Sequence, residues 1–98
     1  MAVILIRHKV RDYDHWRGVF TAALEVRRGS GEQSFRLFHD KANPNDVVVL
    51  LEWDSPARAE KFVNSEHLKE AMKEAGVVGK PEIIHLQEVR QIRRTAAD

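Results

Sequence analysis

The sequence contains no cysteine, which removes disulfides, thiolate metal sites and a cysteine nucleophile together. It also lacks an excess of either charge: 16 Lys and Arg face 15 Asp and Glu, a formal net charge of +1. That balance implies neither a polyanion nor an anionic membrane as partner. Long apolar runs are missing too. The N-terminal run Ala2–Ile6 is far shorter than a signal-peptide core or a membrane span, so a reducing, cytoplasmic setting is expected. The glycines of Gly76-Val77-Val78-Gly79-Lys80 have neither phosphate-loop nor dinucleotide spacing, and no G-x-S-x-G occurs.

What is present is an ordinary globular composition, 43% hydrophobic and 32% charged over 98 residues, matching one small domain. The expected organisation is a single domain over 1–98, with its core within about 2–90 and a polar tail over 91–98. Ala2–Val10 is rich in β-branched residues and reads as a strand. Asp12 or Asp14 then caps a helix whose stripe Trp16, Val19, Phe20, Ala23 and Leu24 has helical spacing. Arg27 and Arg28 suit that helix's negative end, and Gly29-Ser30-Gly31 closes it.

Ser34–His39 reads as a short second strand, and Asp40–Asp46 is turn chemistry. Val47–Trp53 is the strongest strand. Ser55 caps a helix opened by Pro56, with Ala59, Phe62 and Val63 facing inward. The chain re-caps at Asn64 or Ser65, and Leu68, Ala71, Met72 and Ala75 continue a stripe as far as Gly76. After a connection over Val77–Pro81, Glu82–Val89 forms the last strand.

The order βαββαβ predicts an α+β, ferredoxin-like sandwich: a four-stranded antiparallel sheet with its helices on one face. Strands one and three are then central. Their unbroken apolar runs require burial on both faces, because side chains alternate across a sheet. The helices cover only one, leaving Ile4, Ile6, Val48 and Leu50, or the set of opposite parity, on an apolar open face. A second copy of the chain is the economical cover, so a homodimer is expected. RNA-recognition domains share this order but carry base-stacking aromatics on strand three. Here that strand is Val-Val-Val-Leu-Leu, and no nucleic-acid partner is expected.

Three segments carry a resemblance: Val10–Trp16 at the first strand-to-helix junction, Glu52–Ser55 after strand three, and Phe62–Met72 with Ala75–Val77 and Pro81. Over roughly residues 3 to 90 the chain resembles the antibiotic-biosynthesis-monooxygenase-like family of the dimeric α+β barrel superfamily. The resemblance implies a homodimer with its sheets face to face and a ligand cavity between sheet and helices in each subunit. Members that oxidise phenolic polyketides need no metal or flavin, the substrate carbanion reacting directly with O₂, so no cofactor and an apolar or aromatic ligand are implied. Haem-degrading relatives carry a tryptophan where Phe62 falls and an axial histidine where Met72 falls, and their strand-one asparagine falls near Arg7 or His8. A thioether in place of imidazole removes the haem ligand, so haem breakdown is disfavoured.

Phe62 and Met72, with Tyr13, are the substrate-binding candidates. Tyr13 either offers a hydroxyl at a cavity mouth or staples the start of the helix. His8, Trp53 and His85 are the catalytic candidates. Strands one and four should be neighbours, so His8 and His85 could approach each other as an acid–base pair or part of a metal site, but nothing spaced around them completes a metal motif. Trp53 is a core plug or a pocket wall, with core favoured. Trp16 and Phe20 read as core, His15 and His67 as solvated helix starts, and Arg7 and Arg36 as members of surface ion pairs. The alternative to an enzyme is a non-catalytic dimer binding a small ligand.

Overall fold

Every second side chain of β1 (Ala2–Val10) is buried from Ile4 onward: Ile4, Ile6, His8 and Val10. β3 (Asp46–Trp53) does the same with Val47, Val49, Leu51 and Trp53. The two strands pair antiparallel with Ile4 opposite Leu51 and Ile6 opposite Val49, so both buried sets share one face. β2 (Glu32–His39) flanks β3 and β4 (Val77–Gln87) flanks β1, giving the sheet order β2-β3-β1-β4. The computed structural model describes residues 2–92; from residue 93 on, the expected polar tail lies outside the described residues.

Four helices complete the chain: α1 (Tyr13–Ala22), α2 (Leu24–Ser30), α3 (Pro56–Val63) and α4 (Glu66–Glu74). Trp16, Ala59, Phe62 and Ala75 join the buried side chains of β1 and β3 in one core cluster, which places the helix layer on a single face. This is the ferredoxin-like α+β arrangement, with each of its two helical segments broken in two. No helix among the described residues is long and apolar enough to cross a membrane.

The caps follow from local chemistry. Asp12 accepts from the His15 amide, Ser55 from Arg58 and Ser65 from Leu68, each side-chain oxygen satisfying a donor that has no partner within its helix.

Several boundaries differ from the sequence expectation, among them the end of the last strand, at Gln87 rather than Val89, and the start of the third, at Asp46 rather than Val47. The first helix breaks at Ala23, and α2 ends on Gly31, whose φ of 118° is left-handed. β2 begins at Glu32, two residues before the expected Ser34. β4 begins at Val77, so the expected Val77–Pro81 connection is strand. The pairing there slips, from Arg7 opposite Glu82 to Lys9 opposite Val78. Gly79, at a φ of 74°, and Pro81, with no amide hydrogen, are accommodated in the resulting bulge.

The open face also needs a correction. Leu5 pairs with Leu50 and Arg7 with Val48, so odd positions of β1 accompany even positions of β3. Val3, Leu5, Val48 and Leu50 therefore lie on the open face, whereas Ile4 and Ile6 face the helices. Phe38, Ile84 and Leu86 extend this face onto the edge strands, each about 40% exposed. At one end of it Arg7 donates from Nε and Nη2 to the two Asp46 carboxylate oxygens at 3.2 and 2.9 Å. Hydrogen bonding from Arg7 holds the Asp46 carboxyl below its usual range, and Arg7 is the surface ion-pair member expected.

Candidate functional site

Between sheet and helices lies a cavity of about 70 Å³. Ile6, Val49 and Leu51 form its floor. Trp16 and Phe20 of α1, Phe62 of α3, and Leu68 and Met72 of α4 form its walls. Trp16 and Phe20 are one helical turn apart and stack with ring centroids 5.0 Å apart and planes within 12°. Tyr13 continues this stack outward, 6.2 Å from Trp16, and meets His39 edge-on at 5.1 Å. The half-buried Tyr13 thus braces the aromatic wall from behind.

His8 and Arg27 are the polar side chains set deep in this apolar lining, while the exposed His67 stands at its outer side. His8 descends from β1, its ring edge-on to Trp16 at 5.5 Å, and is 7% exposed. Neither of its ring nitrogens has a hydrogen-bond partner among the described residues. Burial lowers its pKa to about 4, so the imidazole is neutral at physiological pH.

Arg27 reaches the cavity as the next member of the helical stripe Trp16, Phe20 and Ala23, all of which line it. Its Nη1 donates to the Phe20 carbonyl at 2.6 Å, and its Nε donates to Glu32 Oε1 at 2.8 Å. The guanidinium carbon lies 3.8 Å from the Phe20 ring centroid and 5.6 Å from that of Phe35, within cation–π range. Nη2 is buried and has no partner among the described residues. Glu32 is equally deep, and burial pushes its carboxyl above the usual range against the pull of Arg27.

A surface groove of about 600 Å³ shares Val19, Ala23, His67 and Ala71 with the cavity and adds the acidic Asp14, Glu70 and Glu74. Groove and cavity thus adjoin between α1 and α4. Among the described residues, no three His, Asp or Glu side chains converge as a metal site requires.

Residues 1–74 match the family model described as antibiotic biosynthesis monooxygenase. The chain belongs to the antibiotic biosynthesis monooxygenase family. SnoaB, a cofactor-independent oxygenase from Streptomyces nogalater solved as a point variant, superposes with a TM-score of 0.75 at 13% identity, covering 95% of this chain and 97% of its own. A crystal structure of an antibiotic biosynthesis monooxygenase gives 0.71 at 17%, covering 92% and 100%. A conserved protein from Methanosarcina mazei Go1 gives 0.70 at 16%, covering 90% and 93%. At such identities these structures share the fold alone. No curated protein matches the sequence.

The cavity of this antibiotic-biosynthesis-monooxygenase family member gathers only some of the residues singled out in the sequence. His8, Phe62 and Met72 line it. Trp53 is fully buried behind Phe62, ring centroids 4.7 Å apart, with its indole N–H unpartnered among the described residues; it stands outside the lining. His85 is exposed on β4 and pairs with Ile4. His8 is four positions further along β1, about 13 Å at the usual rise per residue. The expected approach of His8 and His85 is corrected accordingly, since adjacency of strands does not bring unmatched register positions together.

The wall residues Trp16 and Phe20 serve the cavity as well as the core. Arg27, read as a helix-end cation, is the main omission. Its sequence signals are helical spacing, four residues beyond Ala23 and seven beyond Phe20, and Glu32, five residues on across a glycine-terminated turn.

Proposed function

We propose that this chain works as a homodimer, with each subunit admitting an aromatic or polyketide-like small molecule to its cavity for oxidation by O₂ without metal or flavin. The observation that carries this reading is the cavity itself: an aromatic, largely apolar pocket holding two buried nitrogen-bearing side chains whose hydrogen-bonding capacity is unmet among the described residues. In such surroundings a donor stabilises a developing oxyanion more strongly than it would in water. A phenol or enol that gives up a proton there becomes electron-rich enough to reduce O₂. In the overall change a ring CH₂ loses two hydrogens and gains one oxygen atom, and the second oxygen leaves with both hydrogens as water. Family membership and the likeness to a cofactor-independent oxygenase support the reaction class. The open face built on Val3, Leu5, Val48 and Leu50 supports the dimer, because apolar sheet surface of that kind is otherwise left in water.

Oxygen consumption by chelator-treated protein, with anthrone-type and dihydroxyaryl compounds, tests the proposal. Uptake of one O₂ per molecule of oxygenated product is expected. Thermal stabilisation by the same compounds with no uptake supports a non-catalytic binding protein instead. That second reading is favoured by one observation, the pKa of His8 near 4, which makes it a weak base at neutral pH.

A further inference from the structure

The stacked pair Trp16–Phe20 is bracketed by the two unpartnered groups, His8 against Trp16 and Arg27 against Phe20. A buried donor without a partner costs about 1–3 kcal/mol, and such orphans are uncommon. Arg27 is also not loose. Glu32 holds its Nε, the Phe20 carbonyl holds its Nη1, and an aromatic face lies against its plane, leaving Nη2 fixed in orientation with nothing to donate to among the described residues.

Two further facts narrow what Nη2 awaits. Glu32 already balances the Arg27 charge at 2.8 Å, and Asp14, Glu70 and Glu74 line the adjoining groove, so a ligand carboxylate meets more negative charge than positive. Volume sets the other bound. A single water needs roughly 10–15 Å³ measured in this way. A cavity of about 70 Å³ is therefore on the scale of one six-membered ring, not of several fused rings.

From these observations we infer that Arg27 Nη2 and His8 form a two-ended oxygen-reading site, and that its ligand is a neutral single-ring aromatic phenol or carbonyl compound. The ring lies along the Trp16–Phe20 wall and its oxygen accepts from Nη2. His8, as neutral imidazole, exchanges a hydrogen bond with a polar substituent at the far end. A larger molecule places one ring in the cavity and the remainder in the groove between α1 and α4. This assignment rests on the cavity being a small-molecule site, as proposed above, and adds which oxygen chemistry it selects.

The test compares four probes of similar shape, p-cresol, benzaldehyde, toluene and benzoate, titrated into the intact protein by calorimetry. p-Cresol and benzaldehyde should bind about tenfold more tightly than toluene, as one hydrogen bond from a charged donor provides, and benzoate should bind most weakly. The paired variant Arg27→Met with Glu32→Leu removes both charges at once. It should bring the oxygen-bearing probes down to the level of toluene while toluene binding persists. Should that variant fail to fold, the arginine side-chain NMR resonances of the unaltered protein report the same contact, since p-cresol should shift the Arg27 signals and toluene should not. Equal affinities for all four probes, tightest binding of benzoate, or unmoved Arg27 resonances overturn the assignment but leave the cavity as a binding site. Failure of every probe to bind overturns both.

Discussion

Arg27 and Glu32 sit on opposite sides of the left-handed turn at Gly31 and bury a 2.8 Å ion pair, with side chains 5% and 1% exposed. The pair ties the last turn of α2 to the first residue of β2, and it fixes the guanidinium beside the cavity. Desolvating two charges is expensive, and their mutual attraction repays it only when the remaining donors are satisfied. Here one of them, Nη2, has no partner among the described residues.

Removing one partner should therefore cost more than removing both. Glu32→Ala is expected to lose about 3–5 kcal/mol of stability by leaving a cation buried and unbalanced. Arg27→Met combined with Glu32→Leu should recover most of that loss. Urea unfolding of the three proteins decides the matter, and a Glu32→Ala cost no larger than that of a surface ion pair would show the pair to be solvated.

His8 titrates abnormally because of burial, and the sign of its effect on stability is determined. Its pKa falls from 6.5 unfolded to about 4 folded, so the unfolded chain binds more protons throughout that interval. Stability is fully present above pH 6.5 and is lost as the pH falls through the window towards 4, by roughly 3 kcal/mol at most. Melting temperatures measured from pH 8 to 4 should show this limb, and His8→Phe should flatten it. An unchanged limb in the variant would move the effect to the carboxylates.

Gly31 and Gly29 should respond in opposite directions to alanine. A Cβ at Gly31 would lie 2.6 Å from Asp54 Oδ1, on backbone already at a φ of 118°, and Gly31→Ala should lose about 1–3 kcal/mol. A Cβ at Gly29, inside α2, meets nothing within 4 Å, so Gly29→Ala should gain about 0.5–1 kcal/mol. Chemical denaturation of the two variants compares them directly, and a stabilised Gly31→Ala would refute the turn geometry.

The dimer proposed above makes Leu50 a central contact, since it is cross-strand partner to Leu5 on the open face. Leu50→Lys buries a charge in any sheet-to-sheet interface. Sedimentation velocity should show a dimer for the original chain and a monomer for the variant. A variant dimer as tight as the original would place the interface elsewhere.

The fold was legible because the signals for it are local or periodic. Ser55-Pro56, the re-cap at Ser65, and the runs Ala2–Ile6 and Val47–Leu51 each declare their element without help from the rest of the chain. Which parity of β1 faces the helices was not legible, because an unbroken apolar run carries no alternation to read; only the register of Leu5 on Leu50 decides it. The site was legible in part. Phe62 and Met72 were pointed to the site by the family resemblance and His8 by its place on the first strand, and all three line the cavity. Arg27 was not singled out, because a cation in the last turn of a helix is ordinarily a solvated complement to the helix dipole, even where, as here, it continues the stripe of Trp16, Phe20 and Ala23 that faces the cavity. The His8–His85 pairing failed for a related reason: neighbouring strands specify an order, whereas proximity needs a register.

The bulge in β4 bears on how copies of the chain can meet. An exposed sheet edge invites further strands to pair with it, and unchecked pairing of that kind leads to fibres. Around Gly79 and Pro81 the outer strand departs from regular spacing, and at Pro81 there is no amide hydrogen to offer a newcomer. That rim is a poor template for templated growth. At this edge, open-ended growth offers no competition to the face-to-face dimer proposed above.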